Sequence, residues 1–173
     1  RIEIGYHAPI APMLATPIAY GDAYPALASG VWFVEDKYDG IRIQAHVTPD
    51  RTSLFSRTLS DAAQTFPDFV ASRFGLPGLR SLDGEIVAER DGRVLPFRYL
   101  QTRLQRKDVS PALLAEIPAR YVAFDLLARD ERVLLDVPLA ERRAQLEDTL
   151  AGADEHLIAA PSFRLDAPTV DDI

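Results

Sequence analysis

A lysine followed by a tight turn is the most chemically suggestive feature of this 173-residue sequence. Lys37, Asp39 and Gly40 lie in the run Lys-Tyr-Asp-Gly-Ile-Arg, directly after a predicted strand. A lysine amine acts as a nucleophile only when part of it is uncharged, so burial or neighbouring cations must lower its pKa from about 10.4. Gly40 would let the backbone turn closely beside a ligand, and Arg42 would offer a fork of donors to ribose or phosphate oxygens. For this run alone, a solvated charged turn between two strands is the stronger interpretation.

Other candidate residues lie further along the chain. Glu85 falls in an apolar predicted strand, where an unpaired carboxylate is costly, so it needs a hydroxyl, a metal or an arginine as its partner. The alternative for Glu85 is a structural salt bridge. By default Phe124 is a core residue and Arg57 is a surface arginine. Asp83 and Asp125 could share a metal as paired carboxylates, but such residues more often brace strand ends, so we leave both outside the site.

The elements that would position these residues follow from hydrophobic periodicity. Residues 1–30 are rich in Pro, Ala and Gly and predict a loop with a short helix at most. Strands are predicted over 31–35, 41–47, 53–57, 81–89, 94–95, 121–128, 133–135 and 157–160. Helices are predicted over 60–75 with an interruption at Pro67, 97–107, 111–118 and 138–150. Hairpins mixed with helices indicate an α+β fold with mostly antiparallel sheets flanked by helices.

Composition limits the possible functions. The sequence contains no cysteine, which excludes disulfides, thiolate metal sites and a cysteine nucleophile. Its longest apolar runs are too short for a membrane span, and we expect a cytoplasmic protein with no membrane partner. The net charge is −7, yet one segment is basic and either contacts a DNA backbone or forms a solvated helix face. That segment contains Arg98, Arg103, Arg106 and Lys107.

The run Glu35–Arg42 resembles the adenylation motif of ATP-dependent DNA ligases. These enzymes belong to the covalent nucleotidyltransferase superfamily, together with RNA ligases and mRNA capping enzymes. Four further segments resemble other motifs of the family in the same order, namely Pro12–Ala15, Phe55–Arg57, Leu82–Val87 and Tyr121–Leu127. The resemblance covers nearly the whole chain and implies a nucleotidyltransferase (adenylation) domain with an ATP-grasp-like fold.

The resemblance also implies a role for each motif residue. Lys37 would attack the α-phosphate of ATP, expel pyrophosphate and hold AMP as a phosphoramidate. Glu35 would contact the adenine amino group, and Phe124 would stack on the adenine ring. Glu85 would bind the ribose hydroxyls and help to place Mg²⁺ or Mn²⁺. The other members of the nucleotide-binding set would be Asp36, Arg42 and Arg57.

Two later family motifs are absent from the sequence, a Glu-Gly motif and a lysine-rich motif, and so is an oligonucleotide-binding domain. We therefore expect residues 1–173 to be a partial adenylation domain that adenylates weakly or not at all alone. The parent protein would seal nicks in double-stranded DNA during replication, repair or recombination. We expect it to be monomeric, and nucleoid-associated if bacterial.

Three alternatives stay open from the sequence. An RNA ligase or a capping guanylyltransferase would share the core motifs. An NAD-dependent ligase shares the Lys-x-Asp-Gly core, although its dedicated upstream region is not seen here. A non-catalytic module that binds nucleotide or DNA is the alternative from another class.

Overall fold

The computed structural model describes residues 8–19, 29–106 and 108–166. Its strands in chain order are β1 Val31–Glu35, β2 Ile41–Val47, β3 Thr52–Ser56, β4 Arg80–Arg90, β5 Arg93–Val94, β6 Ala119–Arg129, β7 Arg132–Val133, β8 Leu157–Ala159 and β9 Ser162–Asp166. Its α-helices are α1 Pro67–Ser72, α2 Phe97–Leu104, α3 Pro111–Glu116 and α4 Leu139–Leu150, and a 3-10 helix, Arg73–Gly75, follows α1. These elements belong to two compact units, which comprise residues 1–12 with 38–159 and residues 13–37 with 160–173.

The first unit contains a seven-stranded sheet. Its central order is β3-β2-β4-β6-β7, while β5 pairs with β4 and β8 pairs with β6. All of these pairs are antiparallel except that between β6 and β8. The mixture of hairpins and helices confirms the predicted α+β fold with mostly antiparallel sheets.

Three helices were predicted to begin at a proline, and two of them do; the third, predicted from Pro138, begins at Leu139 with Pro138 as its N-cap. Pro67 begins α1 and Pro111 begins α3, because a proline at the first helical position lacks only an N–H that the helix would not use. The prediction of helical material just before Pro67 is wrong: Asp61 forms a β-bridge with Phe55, residues 63–65 form a turn, and the Asp61 carboxylate accepts the Ala63 amide at 2.8 Å. Helix α2 ends at Leu104, so the helix predicted to 107 is too long.

Strand β2 is buried on both faces over most of its length. Its alternation predicted Ile43, Ala45 and Val47 on the core side, and all three are fully buried. Gln44 and His46 on the opposite face are buried as well. The Gln44 side-chain amide exchanges hydrogen bonds of 2.9 and 3.1 Å with the backbone of Ile10, and its oxygen lies 2.8 Å from Nε2 of His46. The segment around residue 10 therefore covers this face.

The second unit contains a two-stranded antiparallel sheet of β1 and β9, with Glu35 opposite Ser162. Strand β9 was not predicted, although Phe163 and Leu165 alternate with polar neighbours as in a strand. The loop prediction for residues 1–30 holds for 8–19 and for 29–30, which contain no helix or strand, and the rest of that range lies outside the described residues. In the described parts of the chain, no helix is long and apolar enough to cross a membrane.

Candidate functional site

Arg42 and Asp83 form a salt bridge on one face of the sheet, and Glu85 belongs to the same face. Arg42 lies opposite Glu85 in the register of β2 and β4, and Asp83 comes two residues before Glu85 in β4. The guanidinium donates from Nε to Oδ1 of Asp83 at 3.1 Å and from Nη2 to Oδ2 at 2.6 Å. This pairing, helped by the charge of Glu85, raises the pKa of Arg42. The face therefore carries a permanent positive charge beside Glu85.

The Asp83 carboxylate is almost completely buried, with 3% of its side chain exposed. Burial raises the pKa of Asp83 because it penalises the charged form, while the hydrogen bond from Arg42 acts in the opposite direction. The nearby charge of Asp125 raises the pKa of Asp83 further. Two carboxylates on adjacent strands thus repel each other, and each needs a cation of its own.

An irregularity in β6 decides where Phe124 lies. Pairing between β4 and β6 shifts by one residue next to Asp83, so that Asp83 pairs with Asp125 and Phe124 is left without an opposite residue on β4. Such an extra residue is a β-bulge, and it interrupts the two-residue alternation of the strand. The Arg42 guanidinium carbon lies 5.2 Å from the centre of the Phe124 ring, which is within cation–π range. Phe124 is therefore half-buried on the Arg42 face and not a core residue.

Asp125 is held by an arginine from α4. Arg142 donates from Nε to Oδ1 at 2.7 Å and from Nη2 to Oδ2 at 2.9 Å. Its Nη1 donates to the backbone oxygen of Val137 at 2.6 Å, and the Leu126 amide donates to Oδ1 of Asp125 at 2.9 Å. Asp83 and Asp125 are thus each held by an arginine in the interior of a strand, so the prediction that they brace strand ends is wrong.

Gly40 packs against the strand that carries Glu85. A Cβ atom at Gly40 would lie 2.1 Å from the backbone oxygen of Ile86 and 3.0 Å from Cγ of Glu85. Because the first of these atoms belongs to the backbone of a central strand, it cannot move aside cheaply. Glycine is required here by the close approach of two chain segments, a reason that differs from the ligand-adjacent turn predicted from the sequence.

The remaining candidate residues all have exposed side chains. Arg57 follows β3 in the first unit, with an exposed side chain. Glu35 is the last residue of β1, and Asp36 and Lys37 follow it, all three with exposed side chains in the second unit. The structure thus brings Arg42, Glu85 and Phe124 together within the first unit. Asp83, which holds Arg42, was placed outside the site on sequence grounds, although the spacing of Asp83 and Glu85 in a strand already indicated a shared face.

The basic segment is not one continuous basic surface. Arg103 is completely buried in α2, where its Nη2 donates to Oδ2 of Asp68 at 2.7 Å and its guanidinium carbon lies 5.9 Å from the centre of the Phe66 ring. Arg98 and Arg106 are exposed. Lys107 lies outside the described residues. The prediction that this segment contacts DNA or solvent is therefore wrong for Arg103, whose guanidinium reaches neither.

Comparison with solved structures identifies the class of fold. The ligase domain of M. tuberculosis LigD matches with a TM-score of 0.61 and 25% identity, over 79% of this chain and 41% of that one. A mycobacterial DNA ligase D, solved in complex with ATP and MES, matches with a TM-score of 0.62 and 24% identity, over 79% of this chain and 42% of that one. The fold is that of DNA ligase nucleotidyltransferase domains.

Sequence relatives give the family. A model described as "ATP dependent DNA ligase domain" matches residues 12–171. A probable DNA ligase of Koribacter versatilis is 42% identical over 87% of this chain, and one of Opitutus terrae is 48% identical over 86%. A DNA ligase of Natronomonas pharaonis is 38% identical over 95%. The chain belongs to the ATP-dependent DNA ligase domain family, and it spans 26%, 14% and 29% of the length of these three relatives.

Proposed function

We propose that this chain supplies the lysine and most of the adenosine-binding surface with which an ATP-dependent DNA ligase activates itself. The observation that carries the proposal is the convergence of Arg42, Glu85 and Phe124 on one face of the central strands. These three residues come from three separated motifs, and a chain that merely retained the fold would not need all of them there.

The nucleotide would bind against this face. We propose that adenine stacks on Phe124, on the side of the ring that Arg42 does not cover, and that Glu85 accepts hydrogen bonds from the ribose hydroxyls. Arg42 is fixed by Asp83 and would stabilise phosphate charge without reorganisation. Further contacts to adenine, ribose and phosphate are assigned to Glu35, Asp36 and Arg57.

Lys37 is the proposed nucleophile. Its neutral amine would form a nitrogen–phosphorus bond with the α-phosphate of ATP while the bond to pyrophosphate breaks, and the amine would lose a proton. In the parent protein, AMP would then pass to the 5′-phosphate at a nick in double-stranded DNA. Attack by the adjacent 3′-hydroxyl would join the strands and release AMP.

Glu85 is the carboxylate that we propose for Mg²⁺, or Mn²⁺. Among the residues that the structure describes, no group of three or more His, Cys, Asp or Glu side chains could hold a metal ion. This arrangement fits Mg²⁺, which usually binds through one or two carboxylates together with substrate phosphates and water. When bound, the ion would neutralise charge on the phosphates.

The experiment follows from a simple count. The sequence contains two lysines, Lys37 and Lys107, so a lysyl-AMP bond has two possible positions. We expect the parent protein's residues 1–173, isolated as peptides after incubation with magnesium and ATP carrying ³²P at the α-phosphate, to lose their label in Lys37→Ala and to retain it in the matched control Lys107→Ala. Persistent labelling of Lys37→Ala would refute the assignment, and preference for GTP would favour a capping-type enzyme.

The isolated chain and its parent should differ in rate. Transfer of AMP requires neutralisation of charge on the leaving pyrophosphate, and no lysine follows Lys107 in this sequence. We propose that the chain alone forms lysyl-AMP much more slowly than the parent, or not detectably. Equal labelling rates for the chain and the parent would contradict this proposal.

We also propose that the parent acts as a cytoplasmic monomer, associated with the nucleoid if it is bacterial.

A further inference from the structure

We propose that Arg142 is a positioning residue for the nucleotide site: by clamping Asp125, it holds the β6 bulge in the form that presents Phe124 to adenosine. The inference rests on the proposed function of Phe124 and adds to it a residue on α4 outside all of the motif segments. Arg142 lies 18 positions beyond Phe124, and we assign it no contact with the nucleotide.

The bulge must be held because it is a departure from regular pairing. In a regular strand, consecutive side chains point to opposite faces, so Phe124 and Asp125 could not both lie on the side of Asp83. The pairing shift removes that restriction. The ladder itself offers little to retain the extra residue, because a bulged residue is left unpaired. The bulge therefore needs a stabilising contact from outside the two strands, made to the residue next to Phe124.

Arg142 makes this contact through three hydrogen bonds. Two of them hold both oxygens of Asp125, at 2.7 and 2.9 Å, and the third anchors the guanidinium to the Val137 backbone at 2.6 Å. Both side chains of the pair are about 10% exposed. A planar fork held at three points fixes the direction of the Asp125 side chain, which a single contact would leave free to rotate.

The clamp also separates two like charges. Asp83 and Asp125 are opposite each other in the register of β4 and β6. Asp83 receives Arg42, which lies over Phe124, and Asp125 receives Arg142. If Arg142 is removed, Asp125 is left buried beside Asp83 without a counter-ion, and we expect the bulge to rotate so that Asp125 reaches water. That rotation would carry Phe124 away from Arg42.

A mutant cycle on residues 1–173 tests the proposal. The variants are Phe124→Ala, Arg142→Gln and Arg142→Lys, each alone, and the two Arg142 changes combined with Phe124→Ala; Arg143→Gln is the matched control. Arg143 is the next residue of α4, is 5% exposed against 9% for Arg142, and its Nε lies 3.4 Å from Oε1 of Glu147 on its own helix. Two quantities are measured for each protein: ATP affinity by calorimetry, and hydrogen exchange of the peptide amides of residues 122–127.

We expect Arg142→Gln to weaken ATP binding by roughly tenfold, a size typical of coupled neighbours. The ATP affinity of Arg142→Lys should lie between those of the unsubstituted chain and Arg142→Gln, because lysine keeps the positive charge but cannot donate to both oxygens of Asp125 as the guanidinium does. In the Phe124→Ala background the same change should cost less than about twofold. Hydrogen exchange of residues 122–127 should accelerate in Arg142→Gln and stay unchanged in Arg143→Gln.

Two results would overturn the inference. One is an equal loss of ATP affinity with and without Phe124, which would show that Arg142 acts on stability alone. The other is unchanged exchange over residues 122–127 in Arg142→Gln. If the unsubstituted chain and the parent both fail to bind ATP, the proposed function fails instead, and the exchange measurement still decides whether Arg142 holds the bulge.

Discussion

Two arginine–aspartate pairs in the first unit differ in how many of their polar atoms are hydrogen-bonded. Arg142 and Asp125 form two hydrogen bonds with each other, and the remaining arginine nitrogen donates to a backbone oxygen. Arg103 is completely buried but donates once, to Asp68. Among the described residues, Nε and Nη1 of Arg103 and Oδ1 of Asp68 find no hydrogen-bond partner.

This difference shows that the presence of a buried ion pair does not by itself indicate how much the pair contributes to the stability of the fold. Removing charges from water is costly, and Coulomb attraction offsets that cost only when the remaining polar atoms are also hydrogen-bonded. The Arg142 pair meets this condition beside the proposed nucleotide site. The Arg103 pair does not, and it joins α2 to α1 near the stacked rings of Phe66 and Phe69. We expect the two pairs to respond differently to replacement.

The largest effect should come from removing one partner of the complete pair. Asp125→Ala leaves Arg142 buried without a counter-ion, and we expect the free energy of unfolding to fall by about 3–5 kcal/mol. Urea denaturation followed by circular dichroism measures this. The control is Asp148→Ala, which removes an exposed carboxylate that pairs with Arg129 at 2.6 Å and should cost less than about 1 kcal/mol. Similar losses at the two positions would contradict our ranking.

A second experiment replaces each pair by neutral residues of similar size. Arg103→Met with Asp68→Asn removes one hydrogen bond and two unpartnered nitrogens, so stability should change by less than about 1 kcal/mol or rise. Arg142→Met with Asp125→Asn removes three hydrogen bonds and strips the Val137 oxygen of its donor, so we expect a loss of roughly 2 kcal/mol. The midpoints of urea unfolding give the comparison, and a greater loss at Arg103 and Asp68 would reverse it.

The smallest effect concerns a third pair, at the surface. Arg80 donates to Asp130 at 2.6 Å, and this hydrogen bond lowers the pKa of Asp130 below its ordinary value of 3.8. A lowered pKa stabilises the fold above the unfolded pKa, and that stabilisation is lost as the pH falls through the folded pKa. Asp130→Asn, which keeps a residue suited to the positive φ of 53°, should therefore lower the melting temperature slightly at pH 7.

The pH dependence provides the check on this third pair. The difference in melting temperature between Asp130→Asn and the unsubstituted chain should shrink as the pH drops below about 4. Asp83 acts in the opposite sense: burial raises its pKa, so its contribution favours the fold at low pH and is lost as the pH rises through the folded pKa. Because both proteins retain Asp83, its titration cancels from the difference. A difference that grows on acidification would contradict the pairing.

Much of the candidate site could be predicted from local sequence. Lys37, Asp39 and Gly40 follow a strand directly, and the Asp-Gly-Glu run of β4 alternates within a strand as expected. Such features depend on residues a few positions apart, which is the range over which hydrophobic periodicity and turn chemistry act. The strand and helix types were predicted for the same reason. The exceptions were β9 and the turns before Pro67.

The supports of the site could not be predicted in this way. Arg142 is 17 residues from Asp125, Arg42 is 41 residues from Asp83, and Arg103 is 35 residues from Asp68. No periodicity connects positions so far apart, and arginine on a helix most often faces solvent. The basic cluster around Arg103 was misjudged for that reason.

The sequence itself thus determined which chemical groups the candidate site contains and their order along the chain: a lysine motif, a carboxylate and an aromatic residue on three separate segments. Only tertiary structure decided that Phe124 faces Arg42, that Gly40 must lack a side chain, and that Arg142 turns inward. The physical reason is that each of these outcomes depends on desolvation and close contact between distant segments. Those quantities exist only once the sheet has formed and its neighbours have packed against it.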